Sequence, residues 1–204
     1  MDLQPFKKPM GFEEQSKVVG SVSRIHGTEL QEWLLHDLSG NLNNYKGYSC
    51  HDMDNGDIPG KKFFTINGNP LRSDILVTNA SDVPPALIIE SKGTINENIY
   101  GLLWFAERYK ELGIPYIVVT KDTKDVFRTG SSSYLKYIEA NGNIKFFINS
   151  HDNYDSSKEV FNWEEYSFNE YVQPYFKINE YLFNAVKEHY EKYSNKNKFF
   201  NFEK

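Results

Sequence analysis

Residues 114–121, IPYIVVTK, constrain the fold more than any other stretch of the chain. Apolar side chains follow one another there without the alternation that would leave one face wet. That is the pattern of a strand buried on both faces, with parallel neighbours. Parallel neighbours cannot be joined by a tight turn, so such a strand needs a crossover, usually a helix. Residues 94–112 provide one. Ile99, Leu102, Leu103, Ala106 and Tyr109 recur at helical spacing, Thr94 and Glu97 form a capping box, and Gly113 and Pro115 stop the helix. The fold class is therefore α/β, a central mixed sheet flanked by helices.

The other elements fall into place around this unit. Thr28 and Gln31 make a second capping box, and Leu30, Trp33, Leu34 and Leu38 predict an amphipathic helix over about residues 28–39, ended by Gly40 and Asn41. Residues 43–60 read as loop or as one short strand around Tyr48. Three β-prone runs follow, KKFFTI (61–66), SDILVTN (73–79) and ALIIESK (86–92), and predict an antiparallel meander. A short helix over Ser131–Asn141, stopped by Gly142, and a strand IKFFIN (144–149) come after the crossover. A last helix after Pro174 carries Ile178, Leu182, Val186 and Tyr190, an aliphatic and aromatic stripe suited to core packing or to a dimer contact. A chain of 204 residues suits one domain, with a core over about 26–149 and an aromatic-rich C-terminal extension over 150–204.

Composition excludes several functions. The single cysteine, Cys50, makes no intramolecular disulfide and no zinc cluster, and no apolar run approaches the length of a membrane span. The N-terminus lacks the apolar core of a secretory signal, so a cytoplasmic location is expected. No HExxH and no Gly-x-Ser-x-Gly is present. The stretch HDMDNGD from His51 fails as a calcium loop because Gly56 falls one place early and Phe63 stands where a glutamate is needed. A net charge of −5 does not favour nucleic acid, but what phosphate contact requires is a local basic surface.

The unusual feature lies in the meander. Asp74 opens SDILV, and Glu90 and Lys92 close ALIIESK. The start of one strand of an antiparallel pair neighbours the end of the next, so the three charges meet at one edge of the sheet. Glu90 and Lys92 are two apart and share a face, while Ser91 is expected to point away. Charges ending an apolar strand are costly to desolvate unless they pair or hold a metal. A surface ion pair is the plain reading of Glu90 and Lys92. The chemical reading is that two hard carboxylates, with the Ser91 main-chain carbonyl, suit Mg²⁺.

Asp74, then fifteen residues, then Glu90-Ser91-Lys92, on consecutive strands after a helix, resembles the PD-(D/E)XK nuclease superfamily. The resemblance covers about residues 26–121 and implies a restriction-endonuclease-like αβββαβ core with a C-terminal helical extension. It makes Asp74 and Glu90 metal ligands and Lys92 the catalytic lysine. Glu29 resembles the acid that many members carry on the first helix, as a further catalytic group and metal ligand, with Asp37 as its rival. Ser73 departs from the pattern, which has proline there. The implied activity is Mg²⁺-dependent hydrolysis of double-stranded DNA, best matched by a type II restriction endonuclease working as a homodimer. A Holliday-junction resolvase or repair nuclease, or an idle DNA-binding module, are the alternatives. Phosphate contacts are expected from Gly93 and Thr94 at one helix start, from Ser131 and Ser132 at another, and from Lys121.

Overall fold

The computed structural model describes residues 20–53, 65–66, 69–71, 73–79, 83–95, 99–123, 126–128, 134–149 and 167–194. Strand β6 (Tyr116–Asp122) lies inside the sheet, paired in parallel with β5 (Leu87–Thr94) on one side and with β7 (Ile144–Ile148) on the other. Ile117, Val118 and Val119 have no exposed surface, as the unbroken apolar run required. The crossover from β5 to β6 is helix α2 (Tyr100–Glu111), and α3 (Leu135–Asn141) connects β6 to β7. Both stop at a glycine with positive φ, Gly113 at 69° and Gly142 at 68°, where a side chain would be strained.

The β5 strand is the hinge of the topology. Its other neighbour, β4 (Ile75–Thr78), is antiparallel, and β4 in turn pairs antiparallel with β1 (Ser49–Asp52). The described sheet has six strands in the order β1-β4-β5-β6-β7-β8, with β8 (Val172–Pro174) parallel to β7 at the far edge. Two short strands, β2 (Thr65–Ile66) and β3 (Asn69–Pro70), form a separate hairpin.

Helices cover both faces of the sheet. On one, Leu103, Ala106 and Tyr109 of α2 and Ile138 of α3 pack on Ile88, Val118 and Phe146. On the other, Leu30, Leu34 and Leu38 of α1 (Gly20–Leu42) and Ile178, Leu182 and Val186 of α4 (Ile178–Ser194) pack on Ile75, Ile89 and Val119. Each fully buried aliphatic side chain contributes about 1.5–3 kcal/mol relative to exposure, so these stripes rather than helix propensity hold the layers.

Several expectations are corrected. The first strand of the meander is β1, not KKFFTI. Of the latter, only Thr65 and Ile66 are described, and they belong to the small hairpin. Helix α1 begins at Gly20, so Thr28 and Gln31 lie in its interior and not at its start. It runs past Gly40 to Leu42 and is followed by Asn43 and Asn44 with φ of 42° and 55°, a conformation asparagine tolerates. Thr94 does not open the helix, because pairing with β6 (Thr94 opposite Asp122) holds residues 93 and 94 in the sheet and α2 starts at Tyr100, while Glu97 lies outside the described residues. Ile178, Leu182 and Val186 are core residues, whereas Tyr190 is 36% exposed and the buried position beside it is His189. Ser131, Ser132 and, within the extension, residues 150–166 and 195–204 lie outside the described residues. Among the described residues no helix is long and apolar enough to cross a membrane.

Candidate active site

The β4–β5 ladder pairs Ile75 with Ile89 and Leu76 with Ile88, so one step beyond it Asp74 stands opposite Glu90. The Asp74 amide donates to the Ile89 carbonyl (3.2 Å), and the Asp74 carbonyl accepts from Met53 N (2.9 Å), which extends the alignment to the strand beyond. Lys92 follows on the same face of β5 as Glu90. The predicted meeting of Asp74, Glu90 and Lys92 at one sheet edge is therefore present.

Each charge has a defined neighbour. The Lys92 ammonium donates to Glu90 Oε1. Asp74 Oδ2 accepts from both the Ser91 amide and the Ser91 hydroxyl, each at 2.6 Å. Ser91 thus does not simply turn away, since its hydroxyl braces the carboxylate across the strand gap. Glu90 is only 7% exposed, and its second oxygen, Oε2, is buried with no hydrogen-bond partner. Burial raises the Glu90 carboxyl above the usual carboxylate range and Asp74 pushes the same way, although Lys92 pulls against them. For Lys92, burial favours losing the proton, but Glu90 and Asp74 together outweigh it and hold the ammonium charged.

Behind Glu90 the α2 side of the sheet is polar at three points. Ser73 Oγ and Tyr109 OH share a hydrogen bond of 3.1 Å, and the Tyr109 ring stacks on Tyr116 with centroids 5.2 Å apart. The Tyr116 hydroxyl is wholly buried and has no partner. Burial raises both phenols, keeping them as protonated donors.

From α1, Gln31 reaches this edge. Its amide donates to Asp52 Oδ1 (3.1 Å) and lies 3.5 Å from the Asp74 carbonyl. Glu29 sits exposed on α1. Asp37 is engaged elsewhere, accepting from Tyr175 OH (2.7 Å) and Asn41 (3.2 Å). Gly93 and Lys121 lie beside each other at the carboxyl ends of β5 and β6, between the Lys92–Thr120 and Thr94–Asp122 pairs.

Sequence reasoning missed Gln31, Asp52, the Ser91 hydroxyl and the Ser73–Tyr109–Tyr116 group. The residue type at position 73 was the available signal, since a serine before the aspartate brings a hydroxyl where the pattern has none. Among the described residues no cluster of three or more His, Cys, Asp or Glu side chains gathers as a metal cage. What the edge offers is two facing carboxylates, one with an unpartnered buried oxygen, beside a fixed positive charge. No protein-family model, no curated protein and no solved structure matches the chain.

Proposed function

We propose that the protein is a Mg²⁺-dependent endonuclease hydrolysing DNA phosphodiester bonds, of the type II restriction kind. The observation that carries this reading is the placement of Asp74 opposite Glu90, with Lys92 on the same face, at the edge where Glu90 Oε2 is buried without a partner. With the small β2–β3 hairpin inserted after β1, the succession α1, β1, β4, β5, α2, β6 supports a restriction-endonuclease-like core, being helix, three antiparallel strands, helix and parallel strand.

The donor set fits a hard divalent cation. An orphaned buried carboxylate oxygen is a costly arrangement that a cation would relieve, and carboxylate oxygens are what Mg²⁺ takes. Asp74, Glu90 and the Ser91 carbonyl would hold it, with Glu29 as a further candidate. The bound ion supplies Lewis acidity toward a phosphodiester. Ser91 fixes the orientation of Asp74 through two hydrogen bonds. Lys92, kept charged by its carboxylate neighbours, stabilises the negative charge that builds on the phosphate during attack. Gly93, Thr94 and Lys121 at the strand ends are the candidate DNA contacts.

Duplex cleavage at a palindrome calls for two sites related by a twofold axis, hence a homodimer. Since Ile178, Leu182 and Val186 are core, the contact from α4 falls to its outer face, where Phe183 lies edge-on to Tyr45 at 5.8 Å.

One observation favours a second reading. Lys92 already pairs with Glu90, and Ser91 already satisfies Asp74, as in an idle DNA-binding module whose charges only stabilise one another. Incubation with plasmid, phage DNA and a four-way junction, with and without Mg²⁺, separates the cases. Discrete fragments support a restriction enzyme and junction nicking a resolvase. Binding without cleavage overturns the nuclease reading.

A further inference from the structure

We infer that Ser73, Tyr109 and Tyr116 are positioning residues that set the Glu90 carboxylate for divalent-cation binding, an inference that rests on the nuclease reading of this edge. The three hydroxyls come from three elements. Ser73 precedes Asp74, Tyr109 lies on α2, and Tyr116 opens β6, one parallel strand away from Glu90. Their surroundings are aliphatic, with Ile88, Val118, Ala106 and Leu103 in the same cluster. Three hydroxyls in such a core are not needed for packing, since alanine or phenylalanine would fill the space without a polar group to satisfy.

What they share is Glu90. Its Oε2 is an acceptor without a donor, and the Tyr116 hydroxyl is a donor without an acceptor. Both are buried, and they lie on neighbouring parallel strands on the face that α2 covers, Tyr116 opposite Ile88 and Glu90 opposite Val118. Ser73 and Tyr109 bond to each other at 3.1 Å, so the hydroxyl set has one closed pair and one open donor. Lys92 meanwhile holds the opposite carboxylate oxygen. A cation arriving at the edge competes with Lys92 for Glu90. As Lys92 gives way, the open Tyr116 donor is placed to close on the open Glu90 oxygen, while Ser73 holds Tyr109 and the Tyr109 ring, stacked on Tyr116, fixes the phenol that aims the carboxylate.

The experiment is calorimetric titration of the metal-free full-length protein with MgCl₂ and with MnCl₂, beside thermal melting of each variant. Tyr116→Phe is expected to weaken cation binding about tenfold, the worth of one hydrogen bond to a charged group. Its melting temperature should not fall, because the hydroxyl removed has no partner. Ser73→Ala should weaken binding as well, and Ser73→Thr should restore it. That pair makes the same comparison if Tyr116→Phe does not fold. Wild-type affinity in both Tyr116→Phe and Ser73→Ala, when the wild type binds and Glu90→Gln does not, overturns the inference and leaves the nuclease reading standing. Loss of affinity that tracks a loss of melting temperature, with no rescue by Ser73→Thr, also overturns it. A wild type that binds neither cation overturns both.

Discussion

Strand β5 has a buried polar group at each end, and the two are built on opposite plans. At the amino end, Tyr48 OH meets His189 Nδ1 at 2.6 Å, and His189 Nε2 lies 2.6 Å from the Pro84 carbonyl. A carbonyl only accepts, so Nε2 carries a proton, and because burial lowers the His189 pKa the ring is neutral and Nδ1 accepts from Tyr48 OH. None of these atoms is left without a partner. At the carboxyl end, Asp74 and Glu90 face each other as like charges, and one carboxylate oxygen and one phenol remain open. The first group closes on itself and ties α4 to the loop before β5. The second keeps like charges together and leaves donors and acceptors unused, which a purely structural cluster has no reason to do.

The comparison predicts effects of different kinds at the two ends. The largest is at the carboxyl end, where Asp74→Asn or Glu90→Gln should abolish Mg²⁺-dependent cleavage with the near-ultraviolet circular dichroism unchanged. Either variant cutting at the wild-type rate refutes the metal site. Lys92→Ala should lower the rate on the order of 10²–10³-fold, as loss of a charge-stabilising group does. At the amino end the currency is stability. Tyr48→Phe leaves a buried nitrogen unpaired and should cost about 1–3 kcal/mol in urea unfolding, with cleavage per folded molecule unaltered. A Tyr48→Phe protein as stable as wild type would mean that the relay contributes nothing.

A pH dependence follows from the same end. Burial, together with Lys192, lowers the His189 pKa although the Pro84 carbonyl pulls it up, so the folded protein binds fewer protons than the unfolded chain. Its contribution is complete above the unfolded value of about 6.5 and is lost as pH falls through the folded value. Urea midpoints should therefore drop between pH 7.5 and pH 5.5, and His189→Gln should flatten that drop. The smallest effect expected is at α1. Gln31→Ala, which removes the amide from Asp52 and from the Asp74 carbonyl, should reduce cleavage more than Glu29→Gln, and the opposite ranking would return the helix role to Glu29.

The sequence made the middle of the molecule legible because its signals there were strong and local. The continuous run at residues 114–121, the stripe of α2 and the glycines at 113 and 142 each act through a few neighbours. Where the signal was weak, the reading failed. Ser-Cys-His-Asp of β1 is half-buried throughout and shows no alternation, so KKFFTI, richer in β-formers, took its place. The first eight residues of α1 carry two glycines at positions 20 and 27 and no apolar stripe. Asp74, Glu90 and Lys92 were found because a hairpin brings them together through short-range pairing. Gln31 with Asp52, and Ser73 with Tyr109 and Tyr116, escaped because their contacts join elements distant in sequence and use residue types that are common in any core or helix. His189 was hidden for a similar reason, standing in a helix whose visible stripe pointed to Tyr190.

The far edge of the described sheet bears on whether copies of the protein could pair edge to edge. Strand β8 offers three residues, and the last, Pro174, has no amide hydrogen to donate. A strand from a second molecule laid alongside would find almost no ladder to extend, which is how natural sheets guard against edge-to-edge stacking and aggregation. Among the described residues the parallel half of the sheet ends at β8, and any self-association on that side would have to be written in side chains, where a few substitutions could retune it without disturbing the backbone.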